Sequence, residues 1–305
     1  MRIRIRPFRG KGRSGSSPQL LVAGQTDVGR IRAENEDSYQ VLWGEKSPQG
    51  IDALLVVADG MGGHAAGEVA SRMAVDGVVS LLTGSDAAAC TKGHDYLDAL
   101  GRVLQDVNTT VYKASQDSDK RGMGTTFTVA VIRGDQLYIS HVGDSRAYLL
   151  RAESLHQITE DHSWVEQQVE LGMLSREEAR NHPDRNVITR AVGLEEKVTV
   201  DGYLVPLADQ DILLLCSDGL TTMIEDAEIG VILSANQPDD ACTALIKAAN
   251  SQGGHDNSTV VVARVIGGPS GAQFPDSSGD TKTVEITQPS SVLRRFAKTV
   301  LRLGR

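Results

Sequence analysis

Apolar positions follow two rhythms along this chain. DALLVVADG (52–60), DILLLCSDG (211–219) and the long stretch GMGTTFTVAVIRGDQLYISHVGDSRAYLL (122–150) are dense in β-branched and aliphatic residues, the text of buried strands. Within the long stretch RGDQ (133–136) reads as a turn, with Val129 and Val131 before it and Leu137, Ile139 and Val142 after it. Three closely spaced antiparallel strands are predicted there. The second rhythm is helical. HDYLDALGRVLQDVNTTVYKAS (94–115) repeats Leu97, Leu100, Leu104, Val107 and Val111 at helical spacing, and AAGEVASRMAVDGVVSLL (65–82) repeats Val69, Met73, Val75, Val79 and Leu82 more loosely. Shorter helices are predicted in WVEQQVELG (164–172) and LSREEARNHP (174–183), where Ser175 and Glu178 have capping-box spacing. A last one, DDACTALIKAANSQGG (239–254), ends on glycines that can supply a C-cap.

Consecutive strand hairpins separated from paired helices do not follow a βαβ alternation. The pattern predicts an α+β chain in which antiparallel sheets, rather than a doubly wound parallel sheet, are covered by helices. Its length of 305 residues fits one large domain with tails. Composition divides it into a basic extension (1–19) too rich in Gly, Ser and Arg to build a core, a globular body (20–266), a Gly/Ser/Pro/Thr-rich linker (267–291) and a basic amphipathic segment (292–305).

Charge sharpens this division. The first thirteen residues carry six Arg or Lys and no acid, and residues 292–305 carry five and no acid, so the overall charge of −9 becomes −20 for everything between. An acidic body of that kind argues against nucleic-acid binding over its main face and suits divalent cations. There is no 18-residue apolar run and no secretory h-region, and the three cysteines Cys90, Cys216 and Cys242 lack metal-ligand spacing. A cytoplasmic, reducing setting is expected.

Carboxylates carry the chemistry. Glu36, Asp37, Asp59, Asp144, Asp218 and Asp256 sit at the edges of apolar runs or in Gly-rich turns, without a Cys/His cluster beside them. Oxygen-rich sets suit Mg²⁺ or Mn²⁺, and a neighbouring glycine lets the chain turn tightly and lets its own carbonyl or a metal-bound water approach without a Cβ in the way. One Asp-Gly pair is usually a turn; two apolar strands ending in the same pair invite a site built from strand ends. A nucleotide site is disfavoured, because DGMGGH has neither a Walker lysine nor the GxGxxG order. Cys216 lies in an apolar run without a following Gly-rich, Arg-terminated loop, so it reads as a structural thiol.

Seven segments in register, TDVGRIRAENEDSY (26–39), VVADGMGGHAAGEVAS (56–71), GMGTTFTVAVI (122–132), HVGDSRAYLL (141–150), 158–193, LLLCSDGLT (213–221) and GGHDNSTVVVARV (253–265), resemble the successive motifs of the bacterial metal-dependent (PPM, or PP2C-like) protein serine/threonine phosphatases. The resemblance implies a sandwich of two antiparallel sheets with helices outside each, and a centre of two Mn²⁺ or Mg²⁺ ions at one end. By residue, it implies that Asp59 bridges both ions, that Gly60 offers its carbonyl, that Glu36, Asp218 and Asp256 complete the ligands, that Asp37 holds a water of the cluster, and that Arg32 binds phosphate. Bacterial relatives often hold a third ion; Asp119 and Glu178 lie near its expected position, and neither is assigned as its ligand. The implied reaction is in-line attack of an activated water on phosphoserine or phosphothreonine, opposing a bacterial serine/threonine kinase and acting on its substrates and on the kinase itself. The alternative is a catalytically weak or inactive module of the same fold. Where some family members have a His after Asp-Gly this chain has Met61, and His64 follows three residues later, so the acid for the leaving group stays unassigned. A monomer is expected, with the basic C-terminal segment making weak contact with a membrane surface or a partner.

Overall fold

The computed structural model describes residues 18–62, 66–84 and 96–268, together with the backbone of residues 282–284. His64, Cys90 and both basic ends lie outside the described residues. A five-stranded antiparallel sheet runs in the order β1 (Gln19–Asp27), β11 (Ser258–Ile266), β10 (Ile212–Cys216), β7 (Arg146–Arg151), β8 (Ser154–Gln157). A seven-stranded sheet faces it, in the order β12 (Lys282–Val284), β9 (Val200–Pro206), β6 (Gln136–Val142), β5 (Phe127–Arg133), β3 (Ala53–Met61), β2 (Asp37–Trp43), with β4 (Gly124–Thr125) on the end of β3. This is the expected antiparallel sandwich.

Alternation along β3 shows how the layers are held. Ala53, Leu55 and Val57 point between the sheets, where they join Leu137, Ile139, Leu213, Leu215 and Val261. Leu54, Val56 and Ala58 point the other way, under α1 (Ala66–Thr83) and α2 (Tyr96–Ala114). Both faces of the strand are buried, which is why its sequence is continuously apolar rather than alternating. On the far side of the five-stranded sheet, Tyr148, Leu214 and Val262 pack beneath α6 (Asp226–Ala235) and α7 (Pro238–Ser251).

Two helical expectations differ in outcome. All five periodic residues of α2 are buried. In α1 the buried face is instead Ala66, Ala70, Ala74, Val78 and Leu81 beside Val75 and Leu82, with Val69, Met73 and Val79 half-buried. Small residues form the inner stripe because this helix seats close to the sheet. Between β8 and β9 lie α3 (Trp164–Glu170) and α4 (Arg176–Arg180), and the Ser175–Glu178 capping box is formed. Gly254 closes α7, its N–H bonded to the Ala249 carbonyl. The stretch read as linker contributes one short strand, β12, to the edge of the larger sheet.

Candidate metal centre

Asp37 and Asp59 are directly opposed across the β2–β3 ladder. The end of β3 is locked by its neighbours: the Asp59 N–H donates to Thr126 Oγ1 at 2.9 Å, and the Asp59 carbonyl accepts from Thr126 N–H at 2.8 Å and from Thr125 Oγ1 at 2.9 Å. Asp218 begins the one-turn helix α5 (Asp218–Thr221) just beyond β10. Asp256 precedes β11, and Asn257 beside it organises the facing loop, accepting from the Glu36 N–H at 2.8 Å and donating to the Val28 and Glu34 carbonyls at 3.0 and 2.9 Å. Four chain segments far apart in sequence thus deliver acids to one end of the sandwich.

The two glycines make room for a neighbouring backbone, a role beyond the tight turn and ligand approach expected from the sequence. A Cβ on Gly60 would stand 2.1 Å from the Gly67 carbonyl oxygen and 2.6 Å from that of Glu36; one on Gly219 would stand 1.9 Å from the Asn257 carbonyl oxygen. Backbones cross at both Asp-Gly pairs, and a side chain there would force them apart.

The electrostatics are those of charges held together out of water. Asp37 is buried; burial pushes its carboxyl up to about 7, with Asp218 and Asp256 adding to the rise and the hydroxyls of Thr259 and Ser217 opposing it at 2.6 and 2.7 Å. Burial raises Asp218 to about 6, with the Asp256 charge adding to it, while a hydrogen bond shared with Asp59 and the charge of Arg32 pull it back. Asp59 and Asp144 are pushed well above the carboxylate range, by burial first and then by neighbouring aspartates. Glu36 is raised by burial against the opposing pull of Arg32. Oδ1 of Asp37 and Oδ1 of Asp144 are buried without a hydrogen-bond partner. A buried set of like charges with unused lone pairs lacks a cation partner, and an all-oxygen set fits Mg²⁺ or Mn²⁺.

The acids are gathered rather than closed into a finished shell: among the described residues, no three acidic, His or Cys side chains surround one point. Arg32 occupies one of them, its Nη2 donating to Asp256 Oδ2 at 2.8 Å while about half its side chain stays exposed. Of the two acids considered for a third ion, Asp119 lies in an exposed turn and Glu178 accepts from its own cap, Ser175 N–H and Oγ, at 2.8 Å. Neither belongs to the buried group; Asp144 does. Its GDSR context signalled an acid at a strand edge, but its closeness to Asp59 and Asp218 depends on β7 lying beside β10. Cys216 is fully buried and its thiol is pushed far up by desolvation, so it is a packing group.

The segment between His162 and Arg190 is tied to this centre from two sides. His162 and Gly143 exchange hydrogen bonds, His162 N–H to the Gly143 carbonyl at 2.8 Å and Gly143 N–H to His162 Nδ1 at 2.9 Å. His162 Nε2 and Arg190 Nη1 then hold the two carboxylate oxygens of Asp201, at 2.9 and 2.8 Å. On the other side Arg180 pairs with Glu225 and donates to the carbonyls of Thr221 and Ile224, both at 3.2 Å, just past the Asp218 helix.

A family model described as protein phosphatase 2C matches residues 31–253. The serine/threonine phosphatase stp of Listeria innocua is 43% identical over 78% of this chain and 93% of its own length, and protein phosphatase PhpP of Streptococcus pneumoniae is 39% identical over 78% and 94%. Among solved structures, the Streptococcus agalactiae serine/threonine phosphatase superposes with a TM-score of 0.74 at 35% identity, covering 80% of this chain and 98% of that one. The catalytic domain of the phosphatase PstP, solved with two manganese ions, superposes with a TM-score of 0.69 at 36% identity, covering 81% and 98%.

Proposed function

The chain belongs to the protein phosphatase 2C family of metal-dependent serine/threonine phosphatases, and from that premise we propose that Glu36, Asp59, Gly60, Asp218 and Asp256 would hold two Mn²⁺ or Mg²⁺ ions. The observation that carries this reading is the burial of several mutually repelling carboxylates at one end of the sandwich. Bound there, two divalent ions would lower the pKa of water and offset phosphoryl charge. The chain's own groups do the rest. Asp37, whose Oδ1 is without a partner, would accept a hydrogen bond from an O–H of the attacking water and fix its direction. Arg32, half-exposed at the rim, turns its planar fork from Asp256 to two phosphoryl oxygens of the substrate. Ser217 is not a nucleophile in this scheme, since its hydroxyl is spent on Asp37.

The substrates we propose are phosphoserine and phosphothreonine proteins, with the chain reversing the work of a serine/threonine kinase and acting on the kinase too, in the cytoplasm and as a monomer. No helix among the described residues is long and apolar enough to cross a membrane. For the basic segment 292–305 we propose weak, salt-sensitive contact with an anionic surface, checked by cosedimentation with vesicles across a salt series. Dialysis against chelator followed by turnover of a phosphothreonine peptide, with and without added Mn²⁺, tests the central reading. Turnover is expected to vanish and return with the ion, to be lost in Asp59→Asn and to persist in Cys216→Ser. Full turnover in chelator, or the opposite pattern in the two variants, rejects the two-ion mechanism; well-bound Mn²⁺ without turnover favours an inactive module.

A further inference from the structure

In the larger sheet β9 is next to last, its inner edge paired with β6 from Asp201 to Pro206. On its outer edge residues Val200–Gly202 pair with β12, in the register Val200 with Val284, Asp201 with Thr283 and Gly202 with Lys282. An edge strand presents a row of N–H and C=O groups that any extended segment can pair with, and at the far end of β9 Pro206 has no N–H to offer. The residues around β12 suit that pairing. TKTVEIT (281–287) has five β-branched residues in seven, inside a stretch (267–291) otherwise dominated by Gly, Ser, Pro and Asp. A strand this short binds weakly by itself; tethered to the same chain it sees an effective concentration of about millimolar. The Listeria and Streptococcus relatives are matched over 93% and 94% of their own length by 78% of this chain, so about a fifth of it has no counterpart in either alignment.

We propose that the outer edge of β9 is a docking strip for extended chain, filled here by the protein's own Lys282–Val284, and that filling it stiffens the anchor of the 162–190 segment. Asp201 is the common element. Its backbone sits between β6 and β12, opposite His141 on one side and Thr283 on the other, and its carboxylate holds both His162 and Arg190. The next hydrogen bonds lead from His162 to Gly143, the residue before Asp144. Pairing of β12 therefore acts on the strand that carries the anchor, one ladder step from it. A β9 paired on its inner edge alone has fewer backbone bonds to break before Asp201 shifts.

Hydrogen exchange on the full chain tests this against a double variant, Thr283→Pro with Val284→Pro, which removes two of the three N–H groups of β12 and leaves residues 18–268 untouched. Amides of residues 200–202 are expected to lose about tenfold in protection in the variant, and amides between 162 and 190 to exchange faster with them. A fluorescent peptide spanning residues 277–290 is expected to bind the variant and not the parent, whose strip is already filled. Equal protection of 200–202 in both proteins overturns the inference, as does faster exchange at 200–202 with no change in 162–190. Protection in the parent that falls on strong dilution also overturns it, because the strand would then come from a second copy. None of these readouts uses catalysis, so this inference and the reading of the acidic centre fail independently.

Discussion

Removing divalent ions should make stability fall steeply with rising pH, and Asp37 sets the size of the effect. Its folded value is about 7 against an ordinary 3.8, a rise of about three units driven first by burial. A carboxyl raised on folding binds more protons in the native state than in the unfolded chain, so stability is highest below the unfolded value and is lost as pH climbs through the folded one. At about 1.4 kcal/mol per unit, Asp37 alone makes the metal-free protein about 2–3 kcal/mol less stable at pH 8 than at pH 5. Asp218, raised to about 6, tilts the curve the same way, and because the two titrate together the sum is less than twice the single term. Mn²⁺ at a hundred times its dissociation constant returns about 2.7 kcal/mol, and it does so mainly at pH 8, where the acids are ionised and protons do not compete. Urea unfolding at both pH values, with chelator and with Mn²⁺, gives the four free energies. Metal-free stability that is flat or rising from pH 5 to pH 8 would refute the reasoning, and so would an Asp37→Asn protein with an unchanged slope.

Two further substitutions separate the parts of the site. Arg32→Ala should lower kcat/KM for a phosphopeptide by about a hundredfold while leaving Mn²⁺ affinity intact or higher, since the guanidinium competes with cations for Asp256; calorimetry showing weakened metal binding would make Arg32 a support for the acids instead. Gly60→Ala should cost about 3 kcal/mol or more and lower Mn²⁺ affinity, because its Cβ meets two carbonyl oxygens inside 2.7 Å; a variant with parental stability and metal affinity would show that the backbone crossing at Asp59 is not needed.

The parts of this fold legible in the sequence are those set by local pattern. The β5–β6 hairpin declared itself through RGDQ, and α2 through five apolar positions that all proved buried. Helix α6 is not legible, because EDAEIGVILSANQ spreads its apolar residues around the axis and buries just Ile229 and Leu233. Helix α1 was found with its face rotated, because periodicity weighs large apolar residues while close packing on β3 selects alanines. The acids Glu36, Asp37, Asp59, Asp218 and Asp256 were legible as strand-edge residues in Gly-rich text, and the motif order did the rest. What brings them together was not. Thr259 and Ser217, which hold Asp37, lie 222 and 180 residues from it, and Arg32 lies 224 from Asp256. Such pairs follow from sheet order, which no local window contains. The His162–Asp201 contact belongs to the same class.

The repeated Asp-Gly at residues 59–60 and 218–219 has one explanation at both places. To stay buried, an aspartate at a strand end needs neighbouring chain packed around it, and that chain arrives as backbone: Gly67 against Gly60, Asn257 against Gly219. Glycine is what lets the crossing happen, and the crossing is what keeps water off the acids. Desolvation then raises both carboxyls and makes each feel the others more strongly than it would in water. A centre assembled this way repels itself wherever its acids are ionised, and the packing of the two sheets prevents it from opening to relieve the repulsion. Protons relieve it at low pH, and cations are the remedy left above that range. The pairing of glycine with acid in the sequence is therefore a statement about packing first and about metal chemistry second, and the second follows from the first.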